Sequence, residues 1–207
     1  MLTESKINSN YLAYVKRLEK YNCYSEQMMD DMGDAIKRCS YGMKDDSGCS
    51  YDGAMIDVVL NTLCKLAYHI NEIGFGSGDK NEHPFLKVNF DMLMRVLLLQ
   101  HIGKAEMYVA ETEVWRKKKG FNYNFNDALP SNLKLGERSL CICQKYGIKL
   151  TEEEYEAIRI IDKVEDGKTD LYSSPLAVLV KFVNSLGELE LKRKYKSENN
   201  KKNDTEE

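Results

Sequence analysis

Apolar residues recur at intervals of three and four along most of this chain, which is the spacing of one face of an α-helix. Residues 55–73 have a wider apolar face, which is typical of a helix that is buried on most sides. The most hydrophobic stretch, residues 90–104, predicts the central helix of a bundle. The same spacing predicts a first helix through Tyr11, Tyr14, Val15, Leu18 and Tyr21.

Residue types indicate helix boundaries in the second half of the chain. The apolar spacing predicts a helix over residues 135–145. Thr151 is predicted to cap the next helix, because Glu154 follows three residues later and completes a capping box. Pro175 suits the first turn of the last core helix, where its missing N–H is tolerated. Glycine, serine and aspartate are frequent in residues 40–53, which predicts a loop.

The helical pattern is interrupted at residues 109–127. From Glu111 to Phe125, apolar and polar residues alternate on both sides of a turn at Lys119 and Gly120, which is typical of a β-hairpin. The predicted fold class is therefore all-α, with a small β-hairpin around residues 109–127.

Composition bounds the number of domains and the kind of partner. The 207 residues are 43% hydrophobic, enough for one substantial core, and we expect a single domain over residues 1–191. Residues 192–207 are charged and almost free of apolar side chains, so we expect a disordered tail there. The net charge of -3 does not favour nucleic acid, so any basic contact would be local.

Targeting and membrane segments are not predicted. No apolar run is long enough to cross a bilayer, and residues 1–6 lack the charged-then-apolar order of a secretion signal. We therefore expect a protein that stays in the cytoplasm of the cell that makes it and has no membrane partner.

Six cysteines raise the question of a disulfide or a metal site. Their spacing contains no C-x-x-C pair, and the three histidines lie at no useful ligand spacing from them. Cys141 and Cys143 are two residues apart on a predicted helix, so they point to different sides. We expect reduced thiols that act as small apolar side chains, and neither a metal nor a cofactor.

The segment from Leu98 to Lys104 resembles the metal-binding helix of the HD-domain phosphohydrolases, in the small single-domain form often carried by bacteriophages. In that family the helix reads roughly Leu-Leu-His-Asp-Leu-Cys-Lys, whereas this chain reads Leu-Leu-Gln-His-Ile-Gly-Lys. Gln100 and His101 therefore stand at the positions of the family's His-Asp pair.

Further segments resemble the family in the expected order. Residues 51–60 are similar to the segment that supplies the family's first ligand, and its histidine position is Val58. Residues 135–159 are similar to the family's Gly-His-Gly-Glu-Lys-Ser block and the helix after it. Residues 174–186 resemble the closing helix, and the family's aspartate position is Asn184.

The resemblance implies a helical scaffold without the family's metal chemistry. A metal that activates water needs anionic carboxylates and neutral imidazoles as ligands. The former metal-ligand positions do not provide this set, because they hold Val58, Gln100, His101 and Asn184. Since Gln100 and His101 fall near the core, we expect them to hydrogen-bond each other, Asn184 or backbone groups.

The resemblance and the residues together lead to two hypotheses for the helical body. The first is a catalytically inactive HD-like protein that acts as an interaction or assembly component. It would be phage-encoded, located in the bacterial host cytoplasm or in the virion, and bound to phage structural proteins or to itself. The second is binding of a nucleotide or another phosphate ligand without turnover, by Lys104, Arg138 and Arg159, which match basic positions of the family.

A third hypothesis concerns the predicted hairpin. Its basic and aromatic side chains would neutralise phosphates and stack on the bases of a nucleic acid. Exposed aromatic residues would equally suit a protein partner. The simplest alternative, which we favour, is a solvated turn whose aromatic side chains pack on the body. The residues concerned are Trp115, Arg116, Lys117, Lys118, Lys119, Phe121, Tyr123 and Phe125.

Overall fold

The structure is a computed structural model that describes residues 2–45, 48–73, 82–83, 88–130, 132–162 and 173–203. It is mainly helical with short antiparallel strands, which confirms the predicted fold class. The helices are α1 (Glu4–Lys20), α2 (Glu26–Arg38), α3 (Ala54–Val58), α4 (Cys64–Ile73), α5 (Phe90–Leu99), α6 (Lys104–Met107), α7 (Val114–Lys118), α8 (Leu135–Lys145), α9 (Glu152–Arg159) and α10 (Pro175–Asn203). The strands are β1 (Glu82–His83), β2 (Val88–Asn89), β3 (Tyr108–Ala110) and β4 (Tyr123–Phe125).

Helix α1 packs on the centre of the bundle, as the apolar spacing predicts. Thr3 caps its first turn, because the Thr3 hydroxyl accepts a hydrogen bond from the backbone N–H of Lys6. Tyr14 is fully buried, and its hydroxyl donates a 2.7 Å hydrogen bond to the carbonyl oxygen of Leu98. This bond fixes α1 against the last turn of α5, just before the segment that carries Gln100 and His101.

The predicted helix over residues 55–73 forms, but a π-helical turn interrupts it. The turn, Val59–Leu63, separates α3 from α4, and the N–H of Cys64 donates to the carbonyl oxygen of Val59, five residues earlier. Such turns are rare and occur frequently at functional sites. The apolar spacing did not reveal it, because Val59, Leu60 and Leu63 are all buried in either geometry.

The apolar pattern predicts a central helix through Lys104, but α5 ends at Leu99. Residues 100–103 form a turn instead, and α6 follows. The Ser139 hydroxyl accepts the N–H of Gly103 at 3.0 Å and donates to the carbonyl oxygen of residue 100 at 2.9 Å. A side chain from α8 therefore provides the hydrogen bonds that replace the helical ones in this turn.

A buried ion pair joins α5 to α9. Arg95 Nε lies 2.6 Å from the carboxylate of Glu154, whose side chain is only 1% exposed. The two terminal nitrogens of Arg95 also donate to the carbonyl oxygens of Tyr21, Asn22 and Lys149. Glu154 also completes the predicted capping box with Thr151, so this prediction is confirmed. One guanidinium thus connects the end of α1, the middle of α5 and the loop before α9.

The predicted hairpin is present, although its tip differs from the prediction. Strands β3 and β4 are antiparallel, with Tyr108 opposite Phe125 and Ala110 opposite Tyr123. The connection contains the short helix α7, where the sequence predicts a simple turn at Lys-Gly. A second small ladder between β1 and β2 was not predicted.

Helix α10 extends to Asn203, which differs from the disordered tail predicted from residue 192. Glu190 and Lys194 pair at i,i+4, a spacing that stabilises a solvated helix. The Tyr195 hydroxyl donates a 2.8 Å hydrogen bond to the carbonyl oxygen of Asp45, so this part of α10 also contacts the loop after α2. Residues 204–207 lie outside the described part of the chain.

Candidate functional site

The side-chain amides of Gln100 and Asn184 form a reciprocal pair between the end of α5 and α10. Gln100 Nε2 donates to Asn184 Oδ1 at 3.0 Å, and Asn184 Nδ2 donates to Gln100 Oε1 at 2.9 Å. Gln100 is completely buried. The prediction that Gln100 is satisfied by Asn184 is therefore confirmed. Each amide oxygen accepts a strong hydrogen bond in place of the contact that a metal ligand would make.

His101 is buried beside Tyr41, so the prediction that it bonds Gln100, Asn184 or a backbone group is wrong within the described residues. Its Nε2 atom lies 3.4 Å from the Tyr41 hydroxyl, and the two rings meet edge to face with centroids 5.1 Å apart. The Nδ1 atom is buried and has no hydrogen-bond partner among the described residues. Burial, and secondarily the charge of Lys104, hold the pKa of His101 well below its ordinary value. The imidazole is therefore neutral at physiological pH, and it does not supply the negative charge of the aspartate that it replaces.

Lys104 is a buried cation, only 7% exposed, at the start of α6. Its Nζ donates a 2.5 Å hydrogen bond to the carbonyl oxygen of Tyr41 and lies 3.5 Å from the centroid of the Tyr41 ring. No carboxylate of the described residues forms an ion pair with it. Burial lowers the pKa of Lys104 to about 8. Tyr41 therefore contacts both buried titratable side chains of this region.

Val58, the fourth former ligand position, is 2% exposed at the end of α3. The adjacent carboxylate of Asp57 is engaged by three donors. Its Oδ1 accepts from the amides of Asn10 and Asn61 at 3.0 and 2.7 Å, and its Oδ2 accepts from the Tyr51 hydroxyl at 2.9 Å. The sequence did not reveal this network, because Asn10 and Asp57 are 47 residues apart.

The four former ligand positions do not provide a metal-binding set of donors. Val58 offers only carbon, the two amide oxygens are occupied by each other's N–H groups, and His101 contributes one neutral ring. Within the described ranges, no three His, Cys, Asp or Glu side chains are grouped so that they would hold a metal ion. The chemistry that this arrangement supports is mutual hydrogen bonding rather than activation of water.

The three basic residues predicted to bind a phosphate have different surroundings. Arg138 is 4% exposed, donates to the carbonyl oxygen of Pro130 at 2.7 Å and lies 3.7 Å from a carboxylate oxygen of Glu106. Lys104 instead contacts Tyr41, as described above. Arg159 is exposed on α9, where it lines a depression of about 420 Å³ with Glu152, Glu153 and Glu156. Carboxylates at that position repel an anion.

The aromatic residues of the hairpin differ in exposure, both in its tip, which comprises residues 109–121, and in β4. Trp115 is 56% exposed and Val114 67% exposed. Phe121 and Tyr123 are half-buried, and the Tyr123 hydroxyl donates to Asp52. The expectation that the aromatic side chains pack on the body is therefore confirmed for Phe121 and Tyr123 and wrong for Trp115.

The cysteines are free, and all except Cys141 are buried. Burial raises the pKa of Cys39 and Cys64 to about 12, so their thiols are unreactive at physiological pH. Cys141 is exposed whereas Cys143 is buried, which confirms that they point to different sides of α8.

Searches with protein-family models, among curated proteins and among solved structures found no match to this chain. The similarity to HD-domain phosphohydrolases therefore depends on the quoted segments alone. Separately, none of the described helices combines the length and the apolar character that a membrane span requires.

Replacing both members of the amide pair should cost less than the sum of the two single replacements. In Asn184→Leu, the buried amide of Gln100 loses its partner, and we expect a loss of about 1–3 kcal/mol in the free energy of unfolding. Gln100→Leu should cost a similar amount. The double variant should lose less than the sum of the two, because no amide is left unpaired. Urea denaturation of the four proteins measures this coupling, and strictly additive losses would contradict the pairing.

The buried ammonium of Lys104 should make stability depend on pH. Its pKa is about 8 in the folded protein and 10.5 ordinarily, so between these values the unfolded chain binds more protons and folding is favoured as pH rises. Relative to Lys104→Met, the wild type should gain about 1 kcal/mol for each pH unit across this window. Denaturation of both proteins at pH 8, 9 and 10 measures the difference. The exposed Lys6→Met is the control, and a Lys104→Met difference that is constant with pH would contradict the expectation.

Proposed function

We propose that this protein is a non-catalytic helical protein of HD-domain type that acts through contacts with other macromolecules, as an interaction or assembly component. The observation that carries the proposal is the reciprocal amide pair between Gln100 and Asn184. These are two of the four positions at which the resemblance puts metal ligands. Each amide donates one hydrogen bond to the other and accepts one from it, so the two side chains satisfy each other's hydrogen bonds.

The electrostatics of the site support the absence of hydrolytic chemistry. Metal-assisted hydrolysis requires an ion that lowers the pKa of its bound water, and carboxylates are needed to hold that ion. The four positions hold Val58, Gln100, His101 and Asn184, so none of them supplies a carboxylate. His101 adds only a neutral imidazole.

The exposed apolar groups of the hairpin tip support a role in contacts. Val109 on β3, and Val114 and Trp115 on the connection between β3 and β4, are exposed. Large exposed aromatic residues dominate the energetics of protein interfaces. An origin in a bacteriophage, and a place in the virion or in the host cytoplasm, is part of this proposal and rests on the family resemblance alone.

A second candidate function is the binding of a nucleotide or another phosphate ligand without turnover. Two observations favour it: His101 Nδ1 and Arg138 Nε are buried polar atoms without hydrogen-bond partners among the described residues. Arg159 has no part in this candidate site, because it lies in the acidic depression on α9.

Metal content and hydrolysis test the proposed function directly. Protein purified without chelators, and then reloaded with manganese or iron, should contain far less than one metal ion per chain by elemental analysis. A panel of nucleotides and nucleotide second messengers should show no metal-dependent hydrolysis. An authentic HD-domain phosphohydrolase is the positive control for both assays. One bound metal ion per chain together with metal-dependent turnover would contradict the proposal.

Thermal denaturation with nucleotides and inorganic phosphate tests the second candidate. If it is correct, one of these ligands should raise the melting temperature of the wild type. The same ligand should not raise that of Arg138→Ala, measured against the variant's own unliganded value. Arg159→Ala is the matched control and should respond like the wild type. No shift for any member of the panel would contradict this candidate.

A further inference from the structure

We propose that the hairpin tip of one copy of this protein docks on the acidic face of α9 in a second copy. The acidic face is defined by Glu152, Glu153, Tyr155 and Glu156, and Arg159 lies at its edge in the same depression. This inference names the partner of the interaction function proposed above and rests on it. The two surfaces are complementary in charge, and both expose an aromatic side chain.

The hairpin tip combines unpaired positive charges with an exposed tryptophan. Lys117, Lys118 and Lys119 are exposed, and none of them forms an ion pair with another described residue. The Nζ atom of Lys119 lies 5.0 Å from the centroid of the Trp115 ring. Arg116 is different, because it is paired with the buried carboxylate of Glu111 at 2.7 Å. The lysines therefore remain available to a negatively charged partner.

The tip is held in one conformation before it meets a partner. Glu111 accepts the backbone N–H groups of Thr112 and Glu113 at 2.9 and 3.0 Å, in addition to its pair with Arg116. On the other arm, the carbonyl oxygen of Gly120 accepts the N–H of Asp45 at 2.9 Å. A preorganised segment loses little conformational entropy on binding, which favours its use as a docking element.

The acidic face of α9 combines unpaired negative charges with an exposed tyrosine. Glu152 and Glu153 are exposed and have no ion pair with any described residue, and Tyr155 is 52% exposed. Glu152 and Glu153 lie in the first turn of α9, and Glu156 accepts the backbone N–H of Ser174 at 3.0 Å. The carboxylates of Glu152 and Glu153 are therefore the ones available to the lysines of the tip, and Tyr155 offers an aromatic surface to Trp115.

A second copy fits these observations better than a nucleic acid. The chain carries a net charge of -3, so it lacks the overall positive field that attracts a nucleic acid. Another copy of the chain brings its own acidic face. Both surfaces are present on every copy, so a one-way contact would extend into a series and a reciprocal contact would close a two-fold dimer. The surfaces are small and charged, which predicts weak, salt-sensitive association.

Charge reversal tests this contact. Sedimentation velocity is measured over a range of concentrations at low and high salt for the wild type, for a tip variant (Lys117→Glu, Lys118→Glu, Lys119→Glu) and for a face variant (Glu152→Lys, Glu153→Lys). A control variant (Lys6→Glu, Lys16→Glu, Lys65→Glu) changes the net charge as the tip variant does, at exposed lysines elsewhere. Circular dichroism and melting temperatures verify that each variant is folded.

We expect the wild type to self-associate at low salt and to dissociate at high salt. The tip variant and the face variant should each associate at least about tenfold more weakly, whereas the control should resemble the wild type. An equimolar mixture of tip and face variants should associate again, because the acidic tip of one then meets the basic face of the other.

Three results would overturn the proposal. These are a wild type that is monomeric throughout, self-association that the tip variant retains, and tip-dependent binding of a single-stranded oligonucleotide without self-association. The first would leave the metal and hydrolysis results unaffected. Failure of the self-contact is therefore distinguishable from failure of the proposed non-catalytic role.

Discussion

Two hydrogen bonds between the side-chain amides of Gln100 and Asn184 connect the end of α5 to α10, and the surrounding structure depends on them. An unpaired buried amide costs on the order of 1–3 kcal/mol, which applies most directly to the fully buried Gln100, whereas Asn184 is half-buried. The pair also determines the chemistry of the site. Its oxygens accept from amide N–H groups, so both side chains take part in the packing of α5 against α10.

The turn after α5 is held by contacts with α8 and with Tyr41. Ser139 holds the backbone of residues 100–103, and Tyr41 contacts both His101 and Lys104. These contacts keep a neutral imidazole and an ammonium buried side by side. Packing and hydrogen bonds stabilise this site, but the burial of the Lys104 ammonium costs free energy. That cost is the reason why the stability of this protein should increase between pH 8 and 10 at this residue.

The positions of the helices were predictable from the sequence, whereas the details around the site were not. Apolar spacing located α1, α5 and α8, and the capping box at Thr151 located α9. The apolar spacing placed the end of α5 too late. The turn that ends this helix is hydrogen-bonded to Ser139, which is distant in sequence. The hydrogen bonds around Asp57 were not predicted for the same reason, because its partner Asn10 lies on another helix that is distant in sequence.

Asn184 was one of three kinds of partner expected for Gln100, besides His101 and backbone groups, and the structure selects it. The division of the hairpin aromatics was not predicted. Trp115 and Phe121 flank the same basic run, but Trp115 on α7 is exposed, whereas Phe121 bridges to the loop at Lys44. The extension of α10 was also missed, because the contact of Tyr195 with Asp45 is tertiary.

The central claim is that Gln100 and Asn184 occupy each other rather than a metal ion. Anomalous diffraction from crystals grown with manganese tests it most directly, because it locates the ion as well as detecting it. The account predicts no anomalous peak near Gln100, His101 or Asn184, and two amides that remain hydrogen-bonded to each other. A peak within coordination distance of these side chains, with the amide pair broken, would contradict it.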